Sequence, residues 1–380
     1  MKQLLIIAIA LTSVNAFASR ARLLSLGSSP HLVDTQSVYA KPYDMFNLAS
    51  DYVALETGTN AGITPATAQN TNPEGMIVRT MGDAKMGLSL GHQSQNASGW
   101  PATATTAPGL RSFAVGVGSV LEVNQQNPIE FTYGKKAGEM TWAGTFVYSN
   151  YNNKKAATTV GLEKESSMGV RLGANQGPWD GTLSLGLTNT ANIMDGNKFT
   201  GTLGIGLNGG YKMDTMYFFG NVVQAGAKEE SVAGTEVMKV STQTITLGVV
   251  NSHKKDGNEL FYSVALNQAS SAVTVGTETK TTIMMLPITI GLEVDAASWV
   301  TLRGSVSQST LINDQKVETA GTTTTELAPN VNTTNVAMGA GLKFNKMTVD
   351  GTIMTTSAST AGNKLDTTQL LAQVGATYWF

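Results

Sequence analysis

The sequence predicts an all-β fold: a transmembrane, antiparallel, up-and-down β-barrel of about fourteen strands with short periplasmic turns, long extracellular loops and an N-terminal extension. Three observations predict it. Apolar residues alternate with small or polar residues in many segments. Charged residues make up only 14% of the chain, whereas about 25% is usual in soluble domains. The chain also ends on an alternating strand whose last residue is the aromatic Phe380.

The first 18 residues predict a cleaved signal peptide. A positive start precedes an apolar stretch over 4–14 that is too short to span a bilayer as a helix. Ala16 and Ala18 provide the small residues that a signal peptidase requires, so Ser19 is the expected first residue of the mature chain. The chain contains no cysteine, which excludes disulfides and a lipid anchor on cysteine.

Residues 19–80 are predicted to form an extension outside the barrel pattern. Residues 19–27 predict a short helical turn that Gly27 ends, 51–56 predict one short strand, and 57–75 are rich in the Thr, Asn, Ala and Pro of loops. Two locations stay open for this extension: the periplasmic side, or the barrel mouth as a plug.

The barrel itself is predicted over residues 81–380. In the clearest segment, Leu203, Ile205 and Leu207 face one way and Thr202 and Gly204 the other. A soluble protein would bury such an apolar face, whereas an outer-membrane barrel turns it toward lipid. The polar faces carry Thr, Ser, Gly and Asn rather than the Lys and Glu of soluble strands. The strands are predicted near 85–93, 128–134, 139–149, 164–175, 180–190, 199–213, 215–226, 239–251, 259–269, 281–294, 298–309, 334–345, 347–357 and 368–380.

Connections between these segments alternate in length. Residues 345–346 and 213–214 are short turns, whereas 94–127, 227–238 and 310–333 are long connections. Short periplasmic turns and long outer loops are the expected asymmetry of such barrels. The loop over 94–127 is apolar enough around residues 113–118 to fold inward as a constriction.

Eight charged residues share the parity of the polar faces and are predicted to project into the lumen, where opposed charges set ion selectivity. They are Lys85, Glu130, Arg171, Lys212, Glu293, Arg303, Lys343 and Asp350. Aromatic residues near strand ends predict two membrane-interface girdles. They are Trp142, Tyr148, Tyr211, Tyr262, Phe344, Tyr378 and Phe380.

No motif predicts catalysis, so the expectation is a non-enzyme without cofactor or metal. Residues 204–209 match G-x-G-x-x-G, but they lie inside an alternating strand with no helix behind it. His31, His92 and His253 are scattered and lack metal-ligand spacing. The net charge of −2 excludes a strongly basic nucleic-acid binder.

Two resemblances add to these observations. The strand pattern, Ala16-Phe17-Ala18 and the ending Tyr378-Trp379-Phe380 resemble porin-type outer-membrane proteins. Residues 34–56 and 127–134 are similar to stretches in major outer-membrane proteins of predatory bacteria. The strand number and extension also resemble outer-membrane long-chain fatty-acid transporters, although residues 40–43 read Ala-Lys-Pro-Tyr where that family carries an Asn-Pro-Ala hatch motif.

These resemblances imply location and partners. The expected location is the bacterial outer membrane, with its lipid as a partner. The resemblance to porin-type proteins implies that the barrel-assembly machinery reads Tyr378 and Phe380 in the last strand. Whether barrels associate as homo-oligomers stays open.

Three functions remain in view. The first is a porin-like channel for passive diffusion of small hydrophilic solutes. The second is a hydrophobic-substrate, fatty-acid-type transporter with an N-terminal plug. The third is a structural or adhesive surface barrel without a transport role.

Overall fold

The structure is a computed structural model that describes residues 19–58, 73–92, 127–152, 162–193, 196–312, 315–326, 333–355 and 370–380. The predicted signal peptide and all but the last residue of the loop over 94–127 lie outside these residues. In the part of the chain that is described, no helix has the length and hydropathy needed to span a membrane.

Nearly all regular structure is antiparallel strand, preceded by two short helices, α1 (Arg20–Ser25) and α2 (Ser37–Ala40), and a 3-10 turn over Pro42–Phe46. The strands are β1 (Tyr52–Gly58), β2 (Glu74–Met81), β3 (Ala84–Leu90), β4 (Ile129–Ala137), β5 (Met140–Asn152), β6 (Leu162–Gln176), β7 (Trp179–Ile193), β8 (Lys198–Gly201), β9 (Gly204–Met213), β10 (Met216–Glu230), β11 (Glu236–Lys255), β12 (Asn258–Val275), β13 (Thr277–Ala297), β14 (Val300–Leu311), β15 (Gln315–Thr319), β16 (Thr322–Glu326), β17 (Thr333–Phe344), β18 (Met347–Thr355) and β19 (Leu370–Trp379).

The sheet closes on itself because β1 pairs with β19, with Tyr52 opposite Trp379. β8 and β9 both lie between β7 and β10, so they form one interrupted wall strand. β15 and β16 form a hairpin that extends the wall beside β13. Within the described ranges the wall is therefore a closed antiparallel barrel of sixteen strands, which confirms the predicted fold class.

The start of the barrel differs from the sequence prediction. The fourteen segments predicted after residue 81 correspond to the wall strands from β3 onward, and β1 and β2 add two more. Their inward residues Tyr52, Ala54, Met76 and Val78 are almost fully buried against residues 19–48. Apart from one inward glutamate on each strand, both faces of β1 and β2 are therefore largely apolar, so the alternation of apolar and polar residues is weak there.

The two ends of the barrel differ in their connections. Two-residue turns such as Gly138-Glu139 and Asp256-Gly257 lie at one end. At the other end the strands run further than predicted: β12 and β13 are separated by Gly276 alone, whose φ of +69° favours glycine. Part of the length assigned to long loops is therefore strand.

The outer face is apolar and exposed. Leu172, Leu207, Leu247, Ile290 and Leu302 are each more than half exposed on it. The neighbouring inward positions carry hydroxyl, amide and charged groups that are buried. An apolar exterior around a polar interior is the arrangement of an outer-membrane barrel, which faces lipid on its outside.

Candidate functional site: a plug in the barrel lumen

Residues 19–48, here called the plug, contact inward-facing residues of the wall toward the end with the two-residue turns. α1 contacts β14, β17, β18 and β19, while the 3-10 turn contacts β4, β5 and β6. Most plug side chains are buried, including Arg20, Arg22, Asp34, Lys41 and Asp44. The plug thus touches wall strands around the lumen rather than hanging on one side.

Two apolar clusters fix the plug to the wall. In the first, Tyr43, Met45 and Leu48 pack with Tyr52 and Trp379 near the seam between β1 and β19. The second forms around β10, β11 and β12. It comprises Leu23, Leu26, Leu32, Tyr217, Phe219, Val250, Phe261 and Ala265. Burying a side chain of this size is worth about 1.5–3 kcal/mol, so these contacts provide much of the affinity of the plug for the wall.

Arg22 joins the plug to the wall through charge. Its Nε and Nη2 atoms donate to the two carboxylate oxygens of Glu293 at 2.8 and 3.0 Å, and its Nη1 donates to Asp34 Oδ2 at 3.2 Å. Arg303 also donates to Glu293, at 2.6 Å, and pairs with Asp350. A continuous ion-pair chain therefore runs from Asp34 in the plug to Asp350 on β18.

A second polar contact reaches β1 and β2. Arg20 Nη2 donates to Glu74 Oε2 at 2.6 Å. Gln36 Nε2 donates to Glu56 Oε1 at 2.8 Å and to Glu74 Oε1 at 2.6 Å, so one amide bridges both strands. The inner faces of β1 and β2 each carry one buried glutamate, and both glutamates have hydrogen-bond partners in the plug.

A third polar contact joins Lys41 and Tyr43 of the plug to β7 and β10. Lys41 Nζ donates to the Tyr217 hydroxyl at 2.8 Å and to Pro30 O at 3.0 Å. The Tyr43 and Tyr217 hydroxyls donate to Asp180, each at 2.9 Å. Burial lowers the pKa of Lys41, but Tyr217 and Asp180 more than offset this, so the pKa of Lys41 lies above its usual value.

Carboxyl groups inside the plug are strongly desolvated. Burial raises the pKa of Asp44, although Lys41, Ser37 and Asn47 oppose the shift. Burial also raises the pKa of Asp34, against the opposing effect of Arg22. Both carboxylates therefore carry a free-energy cost when ionised in the seated plug.

One predicted pair of lumen charges lies beside Tyr39 of the plug. Arg171 Nη1 donates to Glu130 Oε2 at 2.6 Å, and Glu130 Oε1 lies 2.6 Å from His92 Nδ1. The His92 ring stacks on Tyr39 with ring centroids 3.6 Å apart. The structure thus joins Glu130 and Arg171, which sequence reasoning places only on separate polar faces.

The remaining predicted lumen charges lie either in the interior of the barrel or near its end with the two-residue turns. Lys85 points inward and its Nζ donates to Met45 O at 2.8 Å. Lys343 lies near the turn end and pairs with Asp295 at 2.8 Å, and Lys212 is exposed. Glu293, Arg303 and Asp350 form the ion-pair chain described above. A role for any of the eight in selectivity stays a prediction.

The predicted aromatic residues lie on the outer face. Trp142, Tyr262, Phe344, Tyr378 and Phe380 are 38–50% exposed at the turn end. Tyr211 lies at that end too, in contact with Trp179 at 4.3 Å between ring centroids. Tyr148 is 40% exposed and lies toward the opposite end. Their role as interface anchors and that of Tyr378 and Phe380 in assembly stay predictions.

Sequence reasoning misses the plug's own charges. Arg20, Arg22, Asp34, Lys41 and Asp44 are not among the predicted site residues. Residues 19–48 contain these five charged residues in thirty positions, which is close to the 14% of the whole chain, so composition does not distinguish them.

Beyond the plug, the inner wall is lined by hydroxyl and amide groups. Thr246 accepts from Asn267 Nδ2 at 2.8 Å, and the Thr132 and Thr145 hydroxyls lie 2.9 Å apart. Ser149 donates to Glu165 at 2.8 Å. This part of the interior therefore presents hydrogen-bonding groups to the lumen.

Among proteins of known structure, outer-membrane β-barrels are similar to this chain. No protein-family model matches the sequence, and a search of curated proteins gives no match. A bacterial polysaccharide outer membrane secretin has a TM-score of 0.47 at 10% identity, covering 88% of this chain and 99% of its own. The Ralstonia pickettii toluene transporter TbuX has a TM-score of 0.43 at 11% identity, covering 96% and 99%. An anion-selective porin from Comamonas acidovorans has a TM-score of 0.40 at 13% identity, covering 87% and 99%.

Proposed function

We propose that this chain is an outer-membrane channel for small hydrophilic solutes, closed by its N-terminal plug and opened when the plug shifts. The observation that carries the proposal is the seating of residues 19–48 across the lumen, with Arg22 bonded to Glu293 and Lys41 to Tyr217. A sixteen-stranded wall is wide enough to leave an aqueous lumen once a plug moves.

The lining of the lumen supports a hydrophilic solute. Thr246, Asn267, Thr132 and Ser149 present hydroxyl and amide groups to the interior, whereas the apolar residues of the same strands face outward. The clusters of apolar residues in the interior occur where the plug meets the wall, or at a smaller contact between Ala191, Phe199 and Ala227.

The polar contacts suit a plug that can be displaced. The desolvation cost of a buried ion pair offsets much of its Coulomb energy. The chain from Asp34 through Arg22 and Glu293 therefore fixes the position of the plug more than it adds to its affinity. A voltage or a solute that competes for these groups therefore has only a modest net free energy of the ion pairs to overcome, in addition to the apolar contacts of the plug.

A cysteine tether tests whether plug movement opens the channel. Ser25 and Gly339 lie side by side: an ideal Cβ at Gly339 is 2.7 Å from Cβ of Ser25, about 1 Å less than the separation of about 3.8 Å in a disulfide, so the bond requires α1 to shift away from the wall by about that distance. Because the native chain has no cysteine, a Ser25→Cys/Gly339→Cys variant contains just the engineered pair. Planar-bilayer recordings should show conductance steps in the wild-type chain and the reduced variant, and none in the oxidised variant.

Each single-cysteine variant is the matched control and should conduct whether oxidised or reduced. Equal conductance of the oxidised and reduced double variant would contradict opening by plug movement. If the wild-type chain and a variant lacking residues 19–48 both show no conductance steps at any voltage, the channel proposal fails as a whole.

A hydrophobic-substrate transporter is the second candidate, and the contact of the plug with Phe219 and Phe261 favours it. In that case liposomes should accumulate an apolar probe through the wild-type protein, and sugars should stay excluded even after the plug is deleted. Uptake of sugars on plug deletion supports the hydrophilic channel instead.

A further inference from the structure

The first residue of the plug occupies a closed, acidic pocket. Ser19 is fully buried, and its backbone nitrogen donates to Asp34 Oδ1 at 2.7 Å and to Thr35 Oγ1 at 3.1 Å. Its hydroxyl donates to Asp350 Oδ2 at 3.1 Å. An ideal Cβ at Gly375 would clash with Cβ of Ser19, so the pocket exists because residue 375 is a glycine.

The hydrogen-bond count at this nitrogen favours an ammonium over a peptide amide. A peptide N–H has one hydrogen, and here two acceptors, Asp34 and Thr35, lie within 3.1 Å. An α-ammonium group has three hydrogens and a positive charge, and it forms stronger, charge-assisted bonds with a carboxylate. Asp34 is fully buried and pairs with Arg22, and an ammonium at Ser19 adds a second cation to the same carboxylate.

The backbone of Ser19 leads to the same conclusion. Its φ is +105°, a region that side chains other than glycine rarely adopt. The strain arises from the carbonyl of the preceding residue, and a chain that begins at Ser19 has no such carbonyl. Cleavage after Ala18, which the small residues Ala16 and Ala18 predict, removes the strain and creates the ammonium in one step.

We propose that the α-ammonium of Ser19, released by signal-peptide cleavage, is the group that the Asp34 pocket binds, so that processing of the N-terminus locks the plug in the lumen. Hydrolysis of the Ala18–Ser19 peptide bond by water leaves a carboxylate on Ala18 and the ammonium on Ser19. The proposal depends on the seating of the plug, whereas transport through the barrel is a separate matter.

Thiol labelling measures this lock without any transport assay. The chain is refolded in detergent with Ser25→Cys as its single thiol and with a leader that a site-specific protease removes directly before Ser19. Ser25 is fully buried in the seated plug, so maleimide labels the thiol introduced at position 25 when the plug leaves its seat. Cleavage of the leader should slow labelling about tenfold or more, because it adds a second cation to a buried carboxylate that Arg22 alone contacts before cleavage.

Two companion chains keep the test specific. Asp34→Asn should abolish the response to cleavage. A chain that retains one extra glycine before Ser19 carries an ammonium in the wrong place and should label as fast as the uncleaved chain. Equal labelling before and after cleavage would overturn the proposal, as would a full response in Asp34→Asn or slow labelling with the extra glycine.

The N-terminal sequence of protein purified from outer membranes gives an independent check. Ser19 is the expected first residue, and any other first residue overturns the lock. If the position-25 thiol labels rapidly in every chain, the plug does not seat, and both the lock and the plugged-channel function fail. A chain that locks on cleavage but never conducts retains the lock and rejects the channel.

Discussion

Removing Arg22 should release the plug. Arg22 is 2% exposed and bonds Glu293 through two nitrogens and Asp34 through a third. Arg22→Ala leaves the buried carboxylate of Asp34 without its arginine partner, whereas Glu293 keeps Arg303; removing one partner of a buried pair costs about 3–5 kcal/mol. At about 1.4 kcal/mol per tenfold, the lower figure corresponds to roughly a hundredfold shift from seated to released plug.

Maleimide labelling in the Ser25→Cys background reports this shift directly. If the plug opens and closes faster than maleimide reacts, the labelling rate is proportional to the released fraction, so it should rise about a hundredfold in Arg22→Ala. Bilayer recordings of the same variant should show a higher open probability. Arg22→Lys should label at an intermediate rate, because it keeps the charge and loses the two-pronged contact with Glu293.

Arg79 is the matched control. It also pairs with an aspartate, at 3.4 Å from Asp51, but its side chain is 61% exposed. Such a pair is worth at most about 1 kcal/mol, so Arg79→Ala should change labelling by less than about fivefold. If Arg22→Ala labels no faster than Arg79→Ala, the ion-pair chain does not hold the plug and the reasoning from burial is refuted.

Three further predictions use the same labelling and stability measurements. Gly375→Ala places a Cβ in collision with Cβ of Ser19 and should speed labelling of the Ser25→Cys thiol, whereas Gly351→Ala meets no heavy atom within 4 Å and should not; equal rates would contradict the pocket. Because burial raises the pKa of Asp44 in the plug, its contribution to seating is complete below about pH 4, its unfolded pKa, and is lost as pH rises through the raised value. The labelling rate, divided by that of a free thiol at the same pH, should therefore fall on acidification through that range, and Asp44→Asn should flatten this part of the pH profile; an unchanged profile would exclude Asp44 as the cause. Leu207→Arg places a charge on the outer face, where Leu207 is 53% exposed, and should lower unfolding free energy in lipid by about 2–4 kcal/mol; an undiminished urea midpoint would mean that this face does not contact acyl chains.

The strands of the wall could be predicted because apolar side chains face outward and polar side chains face the lumen along most of them. From β3 onward, residues such as Leu172 and Ile290 point into lipid, and their neighbours point into a polar lumen. The alternation with a period of two is then visible in the order of the residues along the sequence. β1 and β2 differ because Met76 and Val78 contact the plug, so the inner face is largely apolar there and the alternation is weak.

The site was predictable only in part. Alternate positions along a strand point to opposite faces, so the position of a residue within its strand is enough to predict that its side chain points inward. This placed Glu130, Arg171, Glu293, Arg303 and Asp350 inside the barrel. Their partners depend on which strands face one another across the lumen and on where the N-terminal segment lies, and neither is a local property. The same parity placed Lys212 inside, but its position next to a turn leaves it exposed to solvent.

The seam between the first and last wall strands has a consequence for biogenesis. Phe380 N donates to Asp51 O at 3.0 Å, directly beside the point where the plug joins the wall. The plug emerges from the ribosome before any strand, and the seam requires the last residues of the chain. Closure of the wall therefore depends on the pairing of β19 with β1, and the plug lies inside the ring that this pairing completes. A chain truncated before β19 would leave β18 and β1 with unpaired edges beside the plug.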